Sequence, residues 1–130
     1  MPDSAILSVD RTHRYLLDRS IGDGPLVLWV MLNPSTADER EDDPTIRRVA
    51  GFSRREGFGR VAVCHLHTLR ATDPRLLRDI PDAPEAYGDE VLMAAAREAH
   101  QVIVGWGAPG ARWPARATHV YNLLASSGDA

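Results

Sequence analysis

The run Leu26-Val27-Leu28-Trp29-Val30-Met31-Leu32 constrains this chain more than any other segment, because every position in it is apolar. A strand with one wet face alternates apolar and polar residues, whereas a strand that is apolar throughout must be covered on both sides. It therefore reads as the central strand of an α/β sheet with a helix layer on each face. The run stops at Asn33, and a polar stretch punctuated by Pro34 and Pro44 follows before helical periodicity begins. A turn alone needs far fewer functional groups than Asn33-Pro34-Ser35-Thr36-Ala37-Asp38 and Asp42-Asp43-Pro44-Thr45-Ile46-Arg47-Arg48 supply. Ligands of open α/β sheets bind outside the carboxyl ends of the strands, so a site is expected here.

The rest of the chain fits around that strand. Ala5 to Val9 and Tyr15 to Leu17 read as an N-terminal β-hairpin about the turn Asp10-Arg11-Thr12-His13, and Ile21 to Pro25 as a loop. A helix opens with Asp43 as cap and Pro44 at its first position and stops at Gly57, with Ile46, Val49, Ala50 and Ser53 inward and Arg47, Arg48, Arg54 and Arg55 outward. Arg60 to Leu66 is a second strand, with Val61, Val63 and His65 on one face. Asp73 and Pro74 open a short helix to about Asp79, and Pro81 and Pro84 mark a loop. A helix from Asp89 to His100, a strand from Gln101 to Val104 and a final helix carrying Ala117, Val120, Tyr121 and Leu124 complete the pattern. The expectation is a single domain over 1–130, an α/β three-layer sandwich with a small, mainly parallel sheet. Polar blocks at Asn33, Arg70 and Trp106 then fall at the carboxyl ends of three strands, as a single cleft requires.

Charge and cysteine content narrow the partners. The formal charge of −3 opposes tight non-specific binding to nucleic acid while leaving local basic faces open, and all fifteen cations are arginine, a usage common in high-GC bacteria. One cysteine, Cys64, excludes an internal disulfide framework and a cysteine-based zinc cluster. The opening Met1-Pro2-Asp3 carries no basic leader and no run reaches membrane-spanning length, so a cytoplasmic location without membrane association is expected.

Each candidate site residue has a second use. The Asn33 amide both donates and accepts, which suits holding a water or reading a base edge, and Asn-Pro is also an ordinary turn pair. Ser35 and Thr36 offer hydroxyls to a phosphate or sugar, or to the turn itself. Asp38, Asp42 and Asp43 form an acidic group whose spacing matches no calcium loop, and Asp43 is accounted for as a helix cap; no metal is assigned. Arg47 and Arg48 in a helix's first turn oppose the macrodipole and call for an anion or for the preceding aspartates. Arg70 can pair bidentately with a phosphate or with Asp73 or Asp38. His65 and His67 share a strand face and read as packing without a third ligand, and Cys64 as a buried apolar residue. Trp106 stacks on a ring or packs over the sheet edge.

The blocks Met31 to Asp38, Asp42 to Arg48, Gly57-Phe58-Gly59, Arg70 to Pro74 and Trp106-Gly107 resemble a bacterial family, domain-of-unknown-function family 1643. That resemblance spans Tyr15 to about Gly110 and implies no activity. Met31-Leu32-Asn33-Pro34-Ser35 also resembles the segment that follows the first parallel strand in the uracil-DNA glycosylase superfamily, which implies a glycosylase-like fold with Asn33 orienting the attacking water. A His-Pro pair typical of those enzymes does not occur.

The resulting expectation is a domain that binds a nucleobase, nucleotide or nucleic-acid end and, if catalytic, hydrolyses an N-glycosidic bond without a cofactor. Asn33, Asp38 and Asp43 are the expected catalytic residues, and Ser35, Thr36, Arg47, Arg48, Arg70 and Trp106 the expected binding residues. The alternative is a non-catalytic binding or interaction module of the same fold, covered by a protein partner or a second copy.

Overall fold

The computed structural model describes residues 3–34, 36–70, 83–106 and 114–127. The elements are β1 (Ser4–Leu7), β2 (Arg14–Ser20), β3 (Leu26–Met31), α1 (Pro44–Arg55), β4 (Arg60–His65), α2 (Ala83–Glu98), β5 (Gln101–Val104) and α3 (Pro114–Ser127). The strands form one sheet in the order β1-β2-β4-β3-β5. β3 is parallel to β4 and to β5, while β2 is antiparallel to both β1 and β4. The sheet is thus mixed, where the sequence led us to expect a mainly parallel one. The cause is β2, which runs on to Ser20 and pairs beyond its hairpin, inserting between β1 and β4.

The all-apolar β3 is covered on both faces, as its composition demands. Val27 packs with Leu17, Ile46, Val49, Phe58, Val61 and Val63 under α1, and Leu28 and Val30 pack with Ala62, Cys64, Leu66, Leu92, Ala95 and Val120 under α2 and α3. Val27, Leu28 and Val30 are fully buried, each contributing about 1.5–3 kcal/mol of transfer free energy. Burial pushes the Cys64 thiol up to about 12, in keeping with an inert core residue.

α1 begins where the sequence signals place it. The Asp43 carboxylate accepts the Ile46 N–H at 2.9 Å and Pro44 occupies the first turn; Arg54 and Arg55 stand at the negative end of the helix dipole. α2 starts at Ala83, six residues before the expected Asp89, so Pro84 belongs to its first turn and not to a loop. Proline is tolerated there because the first N–H groups of a helix have no intrahelical acceptor. The short helix expected from Asp73 to Asp79 lies outside the described residues.

Two neighbouring parallel strands leave the sheet in opposite directions. β3 exits into α1 on one face, while its other parallel neighbour β5 is followed by α3, which packs on the opposite face. Such a reversal opens a crevice at the carboxyl ends of the parallel strands, the place where open α/β sheets bind ligands.

Candidate functional site

A cavity of about 180 Å³ lies in that crevice, lined by Arg14, Met31, Leu32, Asn33, Asp43, Thr45, Ile46, His65 and Gly105. β3 delivers Asn33, β4 delivers His65 as its last residue, and the start of α1 delivers Asp43 and Thr45. Arg14 reaches it through a β-bulge. The pairing of β1 with β2 steps from Ile6–Leu16 to Leu7–Arg14, leaving Tyr15 as the extra residue. Strict alternation would put Arg14 on the same face as Leu16, which packs toward α2 and α3; the bulge turns it to the face of Leu17 and α1.

The polar inventory is unusual for so small a space. Arg14 is 1% exposed and donates from Nη1 to the Ala37 carbonyl at 2.7 Å, while its buried Nε has no hydrogen-bond partner among the described residues. Burial, opposed by the charge of Asp43 and reinforced by Arg70 and Arg19, lowers its pKa to about 10, so it remains a cation at neutral pH. His65 is 6% exposed, and its Nδ1 likewise has no partner among the described residues. Burial and then the Arg14 charge hold the imidazole well below its ordinary range, hence neutral. Asp43 is fixed by two backbone donors, Ile46 N–H at 2.9 Å and Ala37 N–H at 3.3 Å. The residues that line the cavity thus carry a guanidinium, a neutral imidazole, an amide, a hydroxyl and one carboxylate, a set whose chemistry suits a small polar ring or an oxygen-rich group.

Of the expected residues, Asn33 and Asp43 line this cavity, and Asn33 donates to the Pro34 carbonyl at 3.1 Å. The others sit elsewhere. Asp38 faces the outer side of the loop, where its Oδ1 accepts the Arg40 and Glu41 N–H groups at 2.9 Å each, and these bonds lower its pKa. Arg70 donates to the carbonyls of Thr36 at 2.9 Å and Arg11 at 3.2 Å. Thr36 contributes that carbonyl while its own side chain is exposed. Arg47 is exposed and reaches the Asp42 carbonyl at 3.4 Å, Arg48 belongs to a second hollow on the outer side of α1, and Trp106 packs against the core on the α2 and α3 face. Ser35 lies outside the described residues.

The loop is therefore held largely by arginines reaching backbone carbonyls. Arg14 holds Ala37, Arg70 holds Thr36, and Arg19 donates to the Asp38 carbonyl and pairs with the Asp42 carboxylate at 2.8 Å. Arg14, Arg19, Thr45 and His65 are absent from the residues that sequence reasoning placed in the site. His65 gives a usable signal, a histidine ending a buried strand beside the polar block; for Arg14 the bulge removes any.

Residues 14–130 match the family described as "Protein of unknown function (DUF1643)". The chain belongs to this family. The DUF1643 match begins at Arg14, so it takes in the whole cavity and leaves out only β1 and the first turn. Comparison with curated proteins and with solved structures gave no match. The glycosylase resemblance consequently rests on the Asn33-Pro34 segment alone. No helix among the described residues of this DUF1643 chain is long and apolar enough to cross a membrane.

Proposed function

We propose that this DUF1643 domain binds a nucleobase, nucleotide or nucleic-acid end in the cavity between the carboxyl ends of β3 and β4. One observation carries the reading: two buried nitrogens, Arg14 Nε and His65 Nδ1, have no partner among the described residues in a cavity that Asn33 also lines. Buried polar atoms of folded proteins are nearly always paired, and an exception calls for strain, a bound water or ion, or a functional role to account for it. A volume of 180 Å³ is below the roughly 300 Å³ at which cavities for drug-sized ligands begin, and suits one heterocycle or the end of a longer molecule. The carbonyl edge of a base accepts from Arg14 Nε–H, and the Asn33 amide complements a mixed donor and acceptor edge.

The catalytic form of this reading is glycosylase-like hydrolysis of an N-glycosidic bond. Water held by Asn33 attacks the anomeric carbon, the carbon–nitrogen bond breaks with its electron pair on the base, one water proton passes to the base and the hydroxyl stays on the sugar. Of the two expected aspartates, Asp43 lines the cavity and is the one assigned to face the positive charge developing on the sugar. Arg14 takes the role of anion-facing cation expected of Arg70.

A non-catalytic module is the second reading, favoured by the number of arginines engaged in bracing the loop at residues 36–42. A thermal-shift screen of wild type and Asn33→Ala against nucleobases, nucleotides, single- and double-stranded oligonucleotides and divalent ions separates the two. Stabilisation of wild type by a nucleotide class, lost in Asn33→Ala, is the expected outcome and directs a glycosylase assay to that class. A flat screen in which Asn33→Ala and Arg70→Ala lower only the melting temperature supports the module.

A further inference from the structure

A second hollow, about 590 Å³, opens on the same face of the sheet beside α1 and is lined by Trp29, Arg48, Val49, Gly51, Phe52 and Arg55. Its floor is aromatic. The Trp29 indole is held in place by its Nε1–H, which donates to Ser53 Oγ at 3.0 Å, and Phe52 stands edge-on to it with centroids 5.7 Å apart at 88°. Phe52 is 42% exposed, a large apolar ring turned to solvent. Arg48, Phe52 and Arg55 are spaced four and three residues apart, so they form one stripe along the helix, with the Arg55 guanidinium 5.9 Å from the Phe52 ring. Neither Arg48 nor Arg55 makes an ion pair among the described residues, and α1, Pro-Thr-Ile-Arg-Arg-Val-Ala-Gly-Phe-Ser-Arg-Arg, contains no acid.

The hollow adjoins the small cavity. Trp29 and Met31 point to the same face of β3, and a methyl group placed on Gly105 would touch both, 3.6 Å from the indole and 3.8 Å from the Met31 methyl. Met31 and Gly105 themselves line the cavity.

We infer that this groove carries a single-stranded nucleic acid, its bases stacked on Trp29 and Phe52, its phosphates on Arg48 and Arg55, and its end directed toward Asn33. The inference rests on the nucleobase-binding reading and extends it from one base to a strand. Aromatic platforms flanked by cations are how single strands are held without sequence readout, since every base has a stacking face. A duplex keeps its bases stacked on one another and cannot use the floor. A second copy docked face to face would set the four arginines of α1 against themselves. The net charge of −3 confines attraction to this face, so binding is modest and steeply salt-dependent.

Fluorescence anisotropy of the full chain with labelled oligothymidylate and oligouridylate of about ten nucleotides tests the assignment. Arg48→Ala/Arg55→Ala is expected to weaken binding about tenfold or more and to lower the salt slope by about 1.4, two phosphate contacts at 0.7 each. Phe52→Leu is expected to weaken it about tenfold with the salt slope unchanged. These three positions are on the outside of α1, and a thermal melt verifies that each variant is folded. Absence of binding to both oligonucleotides, or full binding by the double arginine variant, overturns the groove. So does polyglutamate binding as tightly as the oligonucleotide with Phe52→Leu unaffected, which marks a surface for acidic peptides, or a dimer that Phe52→Glu dissociates. Mononucleotide stabilisation that survives in the double arginine variant and fails in Asn33→Ala keeps the cavity reading separate: loss of oligonucleotide binding alone sinks the groove, and loss of mononucleotide binding alone sinks the cavity.

Discussion

Arg14 and Arg116 are both buried completely, at 1% and 0% exposure, yet the protein surrounds them in opposite ways. Arg116, on α3, donates to the Leu66 carbonyl from Nε at 2.9 Å and from Nη2 at 2.5 Å, and to both oxygens of Asp89 at 3.1 and 2.9 Å. Glu85 adds a second carboxylate at 3.6 Å and in turn accepts from the Thr68 N–H and hydroxyl. Arg14 has one carbonyl, no ion pair among the described residues, and an Nε without a partner there. A buried guanidinium whose donors are matched by carboxylates on a neighbouring helix ties α3 and α2 to the end of β4. One left under-matched beside a cavity is costly to the fold, and such cost concentrates where a ligand is to be met.

The largest expected effect tests that contrast directly. Arg116→Met takes the buried guanidinium away from Asp89 and Glu85, and urea denaturation should show a loss of about 3–5 kcal/mol. Arg14→Met gives up one bond to a carbonyl but also removes a buried charge that had no ion pair among the described residues, so its loss should not exceed about 1 kcal/mol. A difference of less than about 1 kcal/mol between the two variants would erase the distinction. In the ligand assay the order reverses: Arg14→Met is expected to abolish the nucleotide-induced shift in melting temperature, while Arg116→Met, where it folds, retains it.

His65 sharpens the same comparison through pH. Its native pKa is held well below the ordinary 6.5 by burial and then by Arg14. As pH falls past that ordinary value, the unfolded chain takes up a proton that the native imidazole refuses. The unfolded state then binds more protons, and stability declines with falling pH at up to about 1.4 kcal/mol per pH unit for this one group. His65→Gln should flatten the curve between about pH 6.5 and the onset of carboxylate titration. A wild-type curve already flat over that window would mean that His65 protonates in the folded protein and that its surroundings are wetter than its burial implies.

What the sequence discloses and withholds follows from the range of the interactions. β3 is legible because seven successive apolar residues admit one explanation, and α1 because Asp43, Pro44 and Gly57 act on bonds within a turn of themselves. The crevice is legible for the same reason, since a polar block after a buried strand can lie only at the strand's end. Arg14 is hidden because the residue that turns it inward, Tyr15, looks like any other strand residue until β1 is paired beside it. Arg116 is hidden because its acceptors lie far along the chain, the Asp89 carboxylate twenty-seven residues away and the Leu66 carbonyl fifty, the latter a backbone atom that no residue type announces. Arg70 and Asp38 show the converse. Both are visible as polar groups at a strand end, yet their use in holding carbonyls and N–H groups of the loop depends on backbone positions that composition does not carry.

The smallest effect falls on Asp38, and it decides which side of the loop matters. Asp38 and Asp43 are both acids of one polar block, of which Asp43 alone reads as a helix cap; Asp43 is buried against the cavity, while Asp38 is half-exposed on the outer side of the loop, 3.6 Å from an exposed Arg11. Asp38→Asn keeps the Oδ1 that accepts the Arg40 and Glu41 N–H groups and loses only a screened surface charge, so the melting temperature should stay within about 2 °C of wild type. Asp43→Ala removes a helix cap and should cost about 1–2 kcal/mol, together with the ligand response. If Asp38→Asn instead abolishes the ligand response at unchanged stability, the binding surface is on the outer side of the loop among Arg11, Asp38 and Arg70. The under-matched Arg14 would then be a strained element of the fold and not the centre of a site.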